Sequence, residues 1–376
     1  MKIKALYLHN FRNYRLCSLQ FPSMVNIFYG KNAQGKTNLL EAVFYAAFGM
    51  SHRTSQEDDL FGEGRRELAV RAEFTSFDAD CEIKIKRYEQ HGRIKKELLL
   101  DNAAIKAKEH YGTLNAVMFS PEDLQLIKGE PQLRRRFFDM QIAQADKVYY
   151  EMLVKYNRLL QQRNRLLKEI RDNNADRSQL ALWDKGLSAA AAGIVKKRLE
   201  ALAELSQIAA GIYNSIAGGS EKLTVSYGLK THDDFVLEQP EQEESQWQKF
   251  YLQELQKRQA LDILRGNTSI GPHRDDLFFY VSGRLLKSFG SQGQQRSAAL
   301  ALKLAQLEYV KNNIGEYPVL LLDDVMSELD ADRRTHLLKF IDGRVQTFIT
   351  VNDKHLIPDF NNNAYFYIEG GKVMQG

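Results

Sequence analysis

Gly30-Lys31-Asn32-Ala33-Gln34-Gly35-Lys36-Thr37 is the segment that decides the fold. A glycine, four intervening residues and then Gly-Lys-Thr make the phosphate-loop pattern, which is informative only between a strand and a helix. Both neighbours fit. Val25 to Tyr29 reads as a short buried strand, and Asn38 to Phe48 reads as a helix with its apolar residues on one face. In such a loop the glycines let backbone amides wrap phosphate oxygens, and the helix N-terminus adds a favourable dipole. Lys36 is placed to neutralise the β- and γ-phosphates, and the Thr37 hydroxyl to ligate Mg²⁺. Every residue from Gly30 to Thr37 is therefore a candidate nucleotide contact.

A phosphate loop needs an acidic partner for its metal. Pro318-Val319-Leu320-Leu321-Leu322-Asp323-Asp324 reads as a buried strand ending in two carboxylates. Asp323 is the candidate for Mg²⁺, directly or through water, and Asp324 for orienting or deprotonating an attacking water. Without the loop upstream, the same pair would read as a helix cap. A third segment, Ser291-Gln292-Gly293-Gln294-Gln295-Arg296, opens a helix expected over 293–311, about thirty residues ahead of the acidic strand. Alone it would be a solvated helix cap. In this order it resembles the signature motif of ABC ATPases, where a serine hydroxyl, glycine amides and a helix N-terminus face a γ-phosphate. Ser291, Gly293 and Gln294 carry that likeness, and Ser327-Glu328-Leu329-Asp330 resembles the D-loop of the same superfamily. That geometry puts the signature out of reach of the ATP on its own chain. The resemblance therefore implies a homodimer closed around two ATP molecules.

The 376 residues suffice for two domains, or for one domain with a large insertion. The first thirty residues and 67–100 alternate as strands, whereas 121–268 is mostly helical, with long runs at 146–171, 179–217 and 246–265. Ser120-Pro121-Glu122-Asp123 reads as a capped helix start. Strand patterning resumes with Leu277 to Val281 and Leu285 to Ser288 around the turn Ser282-Gly283, and returns at Thr347 to Val351. The expected organisation is an α/β ATPase head, 1–120 and 269–376, split by a helical lobe at 121–268.

Composition narrows the classes. A net charge of +4, from 52 basic against 48 acidic residues, permits a polyanionic partner without requiring one. Cys17 and Cys81 offer neither a disulfide framework nor metal-ligand spacing and read as core filler. No apolar run reaches membrane-spanning length and no secretion signal is seen, so a cytoplasmic protein is expected.

Leu8 to Tyr14 (LHNFRNY), Gly35 to Ala42 (GKTNLLEA), Gly271 to Asp276 (GPHRDD), the signature segment and Leu320 to Asp330 (LLLDDVMSELD) together resemble the RecF family. These are relatives of SMC chromosome proteins with a short helical lobe in place of the long coiled coil, and the likeness covers essentially the whole chain. It implies an ABC/SMC-type ATPase head and a bacterial protein of DNA replication, DNA damage repair and the SOS response. It also implies ATP-dependent dimeric binding to single-stranded, double-stranded and gapped or junction DNA, and work with RecO and RecR to load RecA. Weak ATPase activity would serve as a switch. Arg12 and Asn13 would then lie beside the nucleotide and Asn32 against the phosphates. Where transporter-type ABC ATPases carry a switch histidine, this chain has Asn352-Asp353, which implies slow hydrolysis. Gln125 is a weak counterpart of their glutamine loop. His273, Asp275 and Asp276 read as part of a hydrogen-bonded hinge between lobe and head in preference to a metal site.

Between Pro131 and Arg171 ten Lys/Arg face four Asp/Glu, and Arg134, Arg135, Arg136, Arg158, Arg163 and Arg165 are candidate DNA contacts. Lys84, Lys86, Arg87, Arg93, Lys95 and Lys96 form a second candidate strip. An ordinary solvated helix face with internal ion pairs is the competing reading of the first group. The rival functions are an ATPase subunit of a membrane transporter, for which the helical insert has no role, and an ATP-driven nuclease. The few residues after Tyr367 leave no room for an appended nuclease domain.

Overall fold

The computed structural model describes residues 1–219, 221–231, 234–237, 243–357 and 363–375. Period-two alternation at the N-terminus produces a sheet. Lys2–Phe11 pairs antiparallel with Tyr14–Gln20 on one side and with Glu67–Ser76 on the other. Ala79–Gln90, Arg93–Leu100 and Ala103–Ala104 extend this to six strands. Glu67–Ser76 buries Leu68, Val70, Ala72 and Phe74, the one-sided pattern of a sheet with a single apolar face.

A second six-stranded sheet runs in the order Lys372–Gln375, Asn363–Glu369, Val25–Tyr29, Thr347–Val351, Val319–Asp323, Ala116–Phe119. All neighbours are parallel except the pair Asn363–Glu369 and Lys372–Gln375. Val319–Asp323 and Thr347–Val351 are buried at every position, which is why their sequences are apolar without alternation. Because the central strands are parallel, Tyr29, Val351 and Asp323 all end at one edge, so the loops that follow them converge. Gln346 clips the two sheets together, its Oε1 accepting from Ile3 N at 2.6 Å and its Nε2 donating to Ile3 O at 2.8 Å.

The chain divides into two compact units, Met1–Gln125 with Leu300–Gly376, and Leu126–Ala299. In the second, helices Pro131–Ala145, Lys147–Arg171, Leu180–Ile216 and Glu244–Arg265 accompany a four-stranded sheet ordered Phe235–Val236, Leu223–Lys230, Asp276–Val281, Arg284–Leu285. Helices of 25 and 37 residues span about 38 and about 56 Å. Asp146 caps Lys147–Arg171 by accepting from Val148 N and Tyr149 N.

Several expectations from the sequence are corrected. The insert does not end at 268: Asp276–Val281 pairs with Leu223–Lys230, which draws the hairpin and Ser291 into the second unit. Residues after Ser120 form a short 3-10 turn, Pro121–Leu126, and the first long helix starts only at Pro131. Asp123 accepts from Ser120 N and also pairs with Lys303 at 2.8 Å. Leu285 to Ser288 is a strand for one residue and then a helical turn, Leu286–Phe289. Cys17 and Cys81 are half-buried on the antiparallel sheet, not core filler, and burial pushes the Cys17 thiol up to about 11.

The expected hinge at Gly271 to Asp276 is an internal knot of the second unit. Asp275 accepts from Tyr227 Oη at 2.8 Å, Tyr251 Oη at 3.0 Å and Lys230 N at 2.8 Å. Tyr156 Oη lies 2.6 Å from His273 Nδ1, and His273 Nε2 lies 3.1 Å from Thr268 O. Burial lowers the His273 pKa to about 3, so the ring is neutral, and the Thr268 carbonyl requires its proton on Nε2. Among the described residues no group of three or more His, Cys, Asp or Glu could hold a metal.

Arg163 is wholly buried, its guanidinium 2.7 Å from Asp184, 2.9 Å from Asp262 and 2.8 Å from Thr268 Oγ1. Removing it strands two interior carboxylates. Arg163→Ala should destabilise the protein by about 3–5 kcal/mol in chemical unfolding, whereas exposed Arg158→Ala should change stability by no more than ~0.5 kcal/mol. Equal small effects would contradict the buried pairing.

Candidate nucleotide site

The loop after Val25–Tyr29 turns back on itself through Gly30 at φ 146° and Gly35 at φ 115°, with Ala33 also left-handed at 64°. A Cβ at Gly35 would sit 2.6 Å from Asn13 Nδ2 and 2.9 Å from Tyr14 Oη, so only glycine fits. Helix Lys36–Phe48 starts directly behind it and is buried along nearly its whole length. Asn13 Nδ2 donates to Gln34 O at 3.0 Å, and Tyr14 Oη donates to Gly35 O at 3.0 Å. From the other side the Gly370–Gly371 turn donates to Gln34 Oε1 at 2.7 Å and to Gln34 O at 3.1 Å. Lys31, Asn32 and Ala33 form the exposed crest.

The Lys36 ammonium curls into the loop, donating to Gly30 O at 2.6 Å, Lys31 O at 2.8 Å and Asn352 Oδ1 at 2.9 Å. Burial lowers its pKa, opposed by the charges of Asp324 and Asp323. Asp323 Oδ1 accepts from Thr37 Oγ1 at 2.9 Å and from Thr350 Oγ1 at 2.7 Å. Burial raises the Asp323 carboxyl, against the pull of those two hydroxyls. Asp324 follows in the left-handed region, φ 51°, its N–H donating to Thr350 Oγ1 at 2.8 Å. A non-glycine residue held there stores backbone strain and re-aims its side chain away from the strand direction.

The structure thus gathers Lys36, Thr37 and Asp323, with Asn13 supporting the loop. Arg12 is otherwise engaged: its guanidinium binds Glu41 at 2.9 and 2.7 Å and Asp59 O at 2.7 Å. Two contributors carry no signal in the sequence: buried Glu41, and Thr350 as partner of both Asp323 and the backbone of Asp324; Gln34, a candidate nucleotide contact, is also the clamp on the C-terminal turn. Asn352 is more than a substitute for histidine, because its amide oxygen holds Lys36. Asp353 caps the turn Lys354–Leu356, and Gln125 is exposed.

Ser291, Gly293 and Gln294 lie in the second unit at the start of helix Gln292–Ile314. Ser291 N donates to Gln294 Oε1 at 2.9 Å, and Gln294 N donates to Ser291 Oγ at 3.2 Å, a reciprocal cap. Gln294 Nε2 also donates to Glu221 at 2.6 Å. Ser291 and Gln292 are exposed. In the D-loop segment, Ser327 Oγ donates to Asp324 O at 2.7 Å and Asp330 caps the next helix, Ala331–Ile341.

The candidate DNA contacts are sorted by burial. Arg134 and Arg163 are withdrawn, Arg134 being buried with Asp276 at 2.7 Å. Arg135 is half-buried and donates to Asp275 O at 2.6 Å. Arg136, Arg158 and Arg165 remain exposed, Arg165 pairing with Glu169 at 2.9 Å. The second strip divides by strand parity: Arg87 is buried against Glu57 at 2.8 Å, and Lys96 donates to Gly49 O.

Comparison with known proteins agrees with this architecture. The family model "RecF/RecN/SMC N terminal domain" matches residues 2–373. The "DNA replication and repair protein RecF" of Bacillus velezensis is 42% identical over 380 residues, covering 100% of both chains. The chain belongs to the RecF family. A solved structure described as the recombination mediator protein RecF-ATP in the RecFOR pathway superposes with a TM-score of 0.90 at 35% identity, over 100% of this chain and 97% of that one. An Smc head domain from Pyrococcus furiosus shares the fold, with a TM-score of 0.57 at 16% identity over 100% and 96% of the two chains. RecF membership disfavours the transporter-subunit reading, and no helix of the described residues is long and apolar enough to cross a membrane.

Glu41 is wholly buried, and burial alone would raise its carboxyl. Hydrogen bonds from Arg12 and Ser51, with the charges of Arg12 and Arg53, prevail and hold it below the usual range. A lowered folded pKa gives stability that is present above the unfolded value, near 4.3, and lost as pH falls through the folded value. Glu41→Gln should therefore lower stability by about 1.5–3 kcal/mol at neutral pH, with the gap to the parent protein closing below about pH 4. A gap independent of pH in thermal melts would refute the assignment.

Proposed function

We propose that the chain is an ATP-dependent DNA-binding protein of recombinational repair and replication, working in the cytoplasm as an ATP-bridged dimer. The observation that carries this reading is the cluster in which Lys36 lies in its own loop while Thr37 and Asp323 stand 2.9 Å apart at its edge. The triphosphate would replace loop carbonyls as the partner of the Lys36 ammonium, and backbone amides around Gly35 would meet its oxygens. The donor pair, a hydroxyl and a carboxylate, suits Mg²⁺, which prefers a few hard oxygens. Bound there it would neutralise charge on the phosphates. Asp324 is assigned to the attacking water, its unusual backbone conformation directing the carboxylate. Asn352 is an amide and cannot relay a proton as a histidine would, which supports slow hydrolysis as a release switch.

The exposed Ser291 cap is the surface offered to a second protomer's γ-phosphate. A ligand bound only by the closed pair stabilises it by linkage, and hydrolysis removes the bridge. Single-stranded, double-stranded and gapped DNA, with RecR, RecO and RecA as functional partners, follow from family membership and from the RecFOR description of the related structure.

Two experiments test this. ATP with Mg²⁺ should convert monomer to dimer in sedimentation velocity, and Ser291→Arg should abolish the conversion while sparing ATP binding; an unchanged monomer at saturating ATP refutes the shared site. Salt-resistant DNA retention should require ATP and be lost in Lys36→Met. Retention indifferent to nucleotide in both proteins refutes gating.

A further inference from the structure

A cavity of about 530 Å³ lies within the second unit and is lined by Lys230, Phe235, Arg258, Arg265, Asn267 and Arg274, none of them assigned to ATP. The remaining lining residue, Ser269, turns its hydroxyl to Asp262 at 2.6 Å. Among the described residues that line it, Lys230, Arg258, Arg265 and Arg274 are cationic and none is acidic. Lys230, Arg265 and Arg274 differ in kind from the buried arginines of the same unit. Arg134, Arg163 and Arg198 each have carboxylates within 3 Å, as an interior guanidinium requires. Lys230, Arg265 and Arg274 have no carboxylate within ion-pairing distance among the described residues. Lys230 Nζ rests 4.8 Å from the centre of the Phe235 ring, and Arg274 Nε reaches only the Thr268 carbonyl at 3.3 Å. The like charges of Lys230, Arg265 and Arg274 around one cavity repel one another, and an anion relieves that repulsion.

The surroundings hold the cavity in shape. Phe235 packs edge-on against Phe278 at 5.4 Å. Arg265 closes helix Glu244–Arg265, whose cap Gly266 is left-handed at φ 64°, and a Cβ there would strike Lys168 Cγ at 2.8 Å and approach Arg171 at 3.1 Å. Cations with a half-exposed aromatic ring, in a volume typical of small-ligand sites, match a nucleotide unit: phosphate to the guanidinium groups and base to the ring.

We propose that this cavity is a second nucleotide-binding site, taking the phosphate and base of one nucleotide presented by a single DNA strand. It rests on the DNA-binding function proposed above and locates that function on the second unit. A free nucleoside monophosphate has the same chemistry, so the test separates the two sources.

With Lys36 intact and ATP with Mg²⁺ present to fill the phosphate loop, two arms are measured for the parent and for Lys230→Gln/Arg265→Gln/Arg274→Gln: anisotropy of a labelled single-stranded oligonucleotide across a salt series, and calorimetric titration with dAMP. The oligonucleotide should bind at least ~10-fold more weakly to the triple variant at 0.1 M salt, with the log–log salt slope reduced by about 0.7, since the one phosphate seated in the cavity is left without its cations. Phe235→Ala should weaken binding roughly tenfold without changing the slope, as loss of stacking requires. Loss confined to dAMP assigns the cavity to free nucleotide and rejects the strand. Unchanged affinity in both arms, or a parent protein that binds neither probe, overturns the site. ATP-gating is judged separately, by comparing the parent with Lys36→Met. Matching melting temperatures confirm that the variants fold.

Discussion

A lysine ammonium that is almost completely buried and has only neutral oxygens as direct partners is the constraint on which the site depends. Taking such a charge from water is costly unless hydrogen bonds or a counter-charge compensate. Here two loop carbonyls and the Asn352 amide supply the hydrogen bonds, while Asp323 and Asp324 supply a favourable field without contact. The result is a concentrated positive potential at a helix N-terminus, the setting in which phosphate binds. That geometry exists only if Gly30 and Gly35 keep their left-handed backbone. It also needs the loop held from both flanks, by Asn13 and Tyr14 near the start of the chain and by Gly370 and Gly371 near residue 376. The antiparallel sheet and the last hairpin are therefore parts of the site, although neither carries its chemistry.

The acidic side is built on the same logic. Asp323 ends a fully buried strand, and two hydroxyls, Thr37 and Thr350, keep a carboxylate there tolerable against a desolvation that favours its protonated form. One of them belongs to the phosphate loop and the other to the strand that also delivers Asn352. Three parallel strands thus present one cation holder, one anion holder and the loop between them. Hydrogen bonds at the strand ends fix their spacing.

Much of this is legible in the sequence because it is local. Loop glycines, an unbroken apolar strand and a Ser-x-x-Gln cap each fall within eight residues. What is not legible is pairing at long range. The boundary of the insert lies beyond 268 because Leu223–Lys230 and Asp276–Val281, about fifty residues apart, share a ladder. Arg134 lies 142 residues from its partner Asp276, so the density of basic neighbours around it says nothing about exposure. The strip from Lys84 to Lys96 is readable in part: strand parity alone separates Lys84 and Lys86 from Arg87. Glu41 is hidden because a buried glutamate is legible only once Arg12, 29 residues earlier, is known to reach it.

The distribution of charge in the second unit also bears on how the two halves of a shared site are carried. Arg163 draws carboxylates from helices Leu180–Ile216 and Glu244–Arg265 onto its own helix, and Arg198 ties Asp139 to Tyr227 and Pro272 O. Paired guanidinium groups of this kind tolerate little sliding, since their planar forks lose hydrogen bonds within an ångström of displacement. Gln294 then joins the signature cap to this framework through Glu221, which also accepts from Tyr213 Oη at 2.7 Å. Ser291 is consequently a fixture of the second unit, while Lys36 and Asp323 are fixtures of the first. In the proposed dimer each ATP would be gripped by the first unit of one protomer and the second unit of the other. The proposed DNA cavity and Ser291 would then be carried by the same unit.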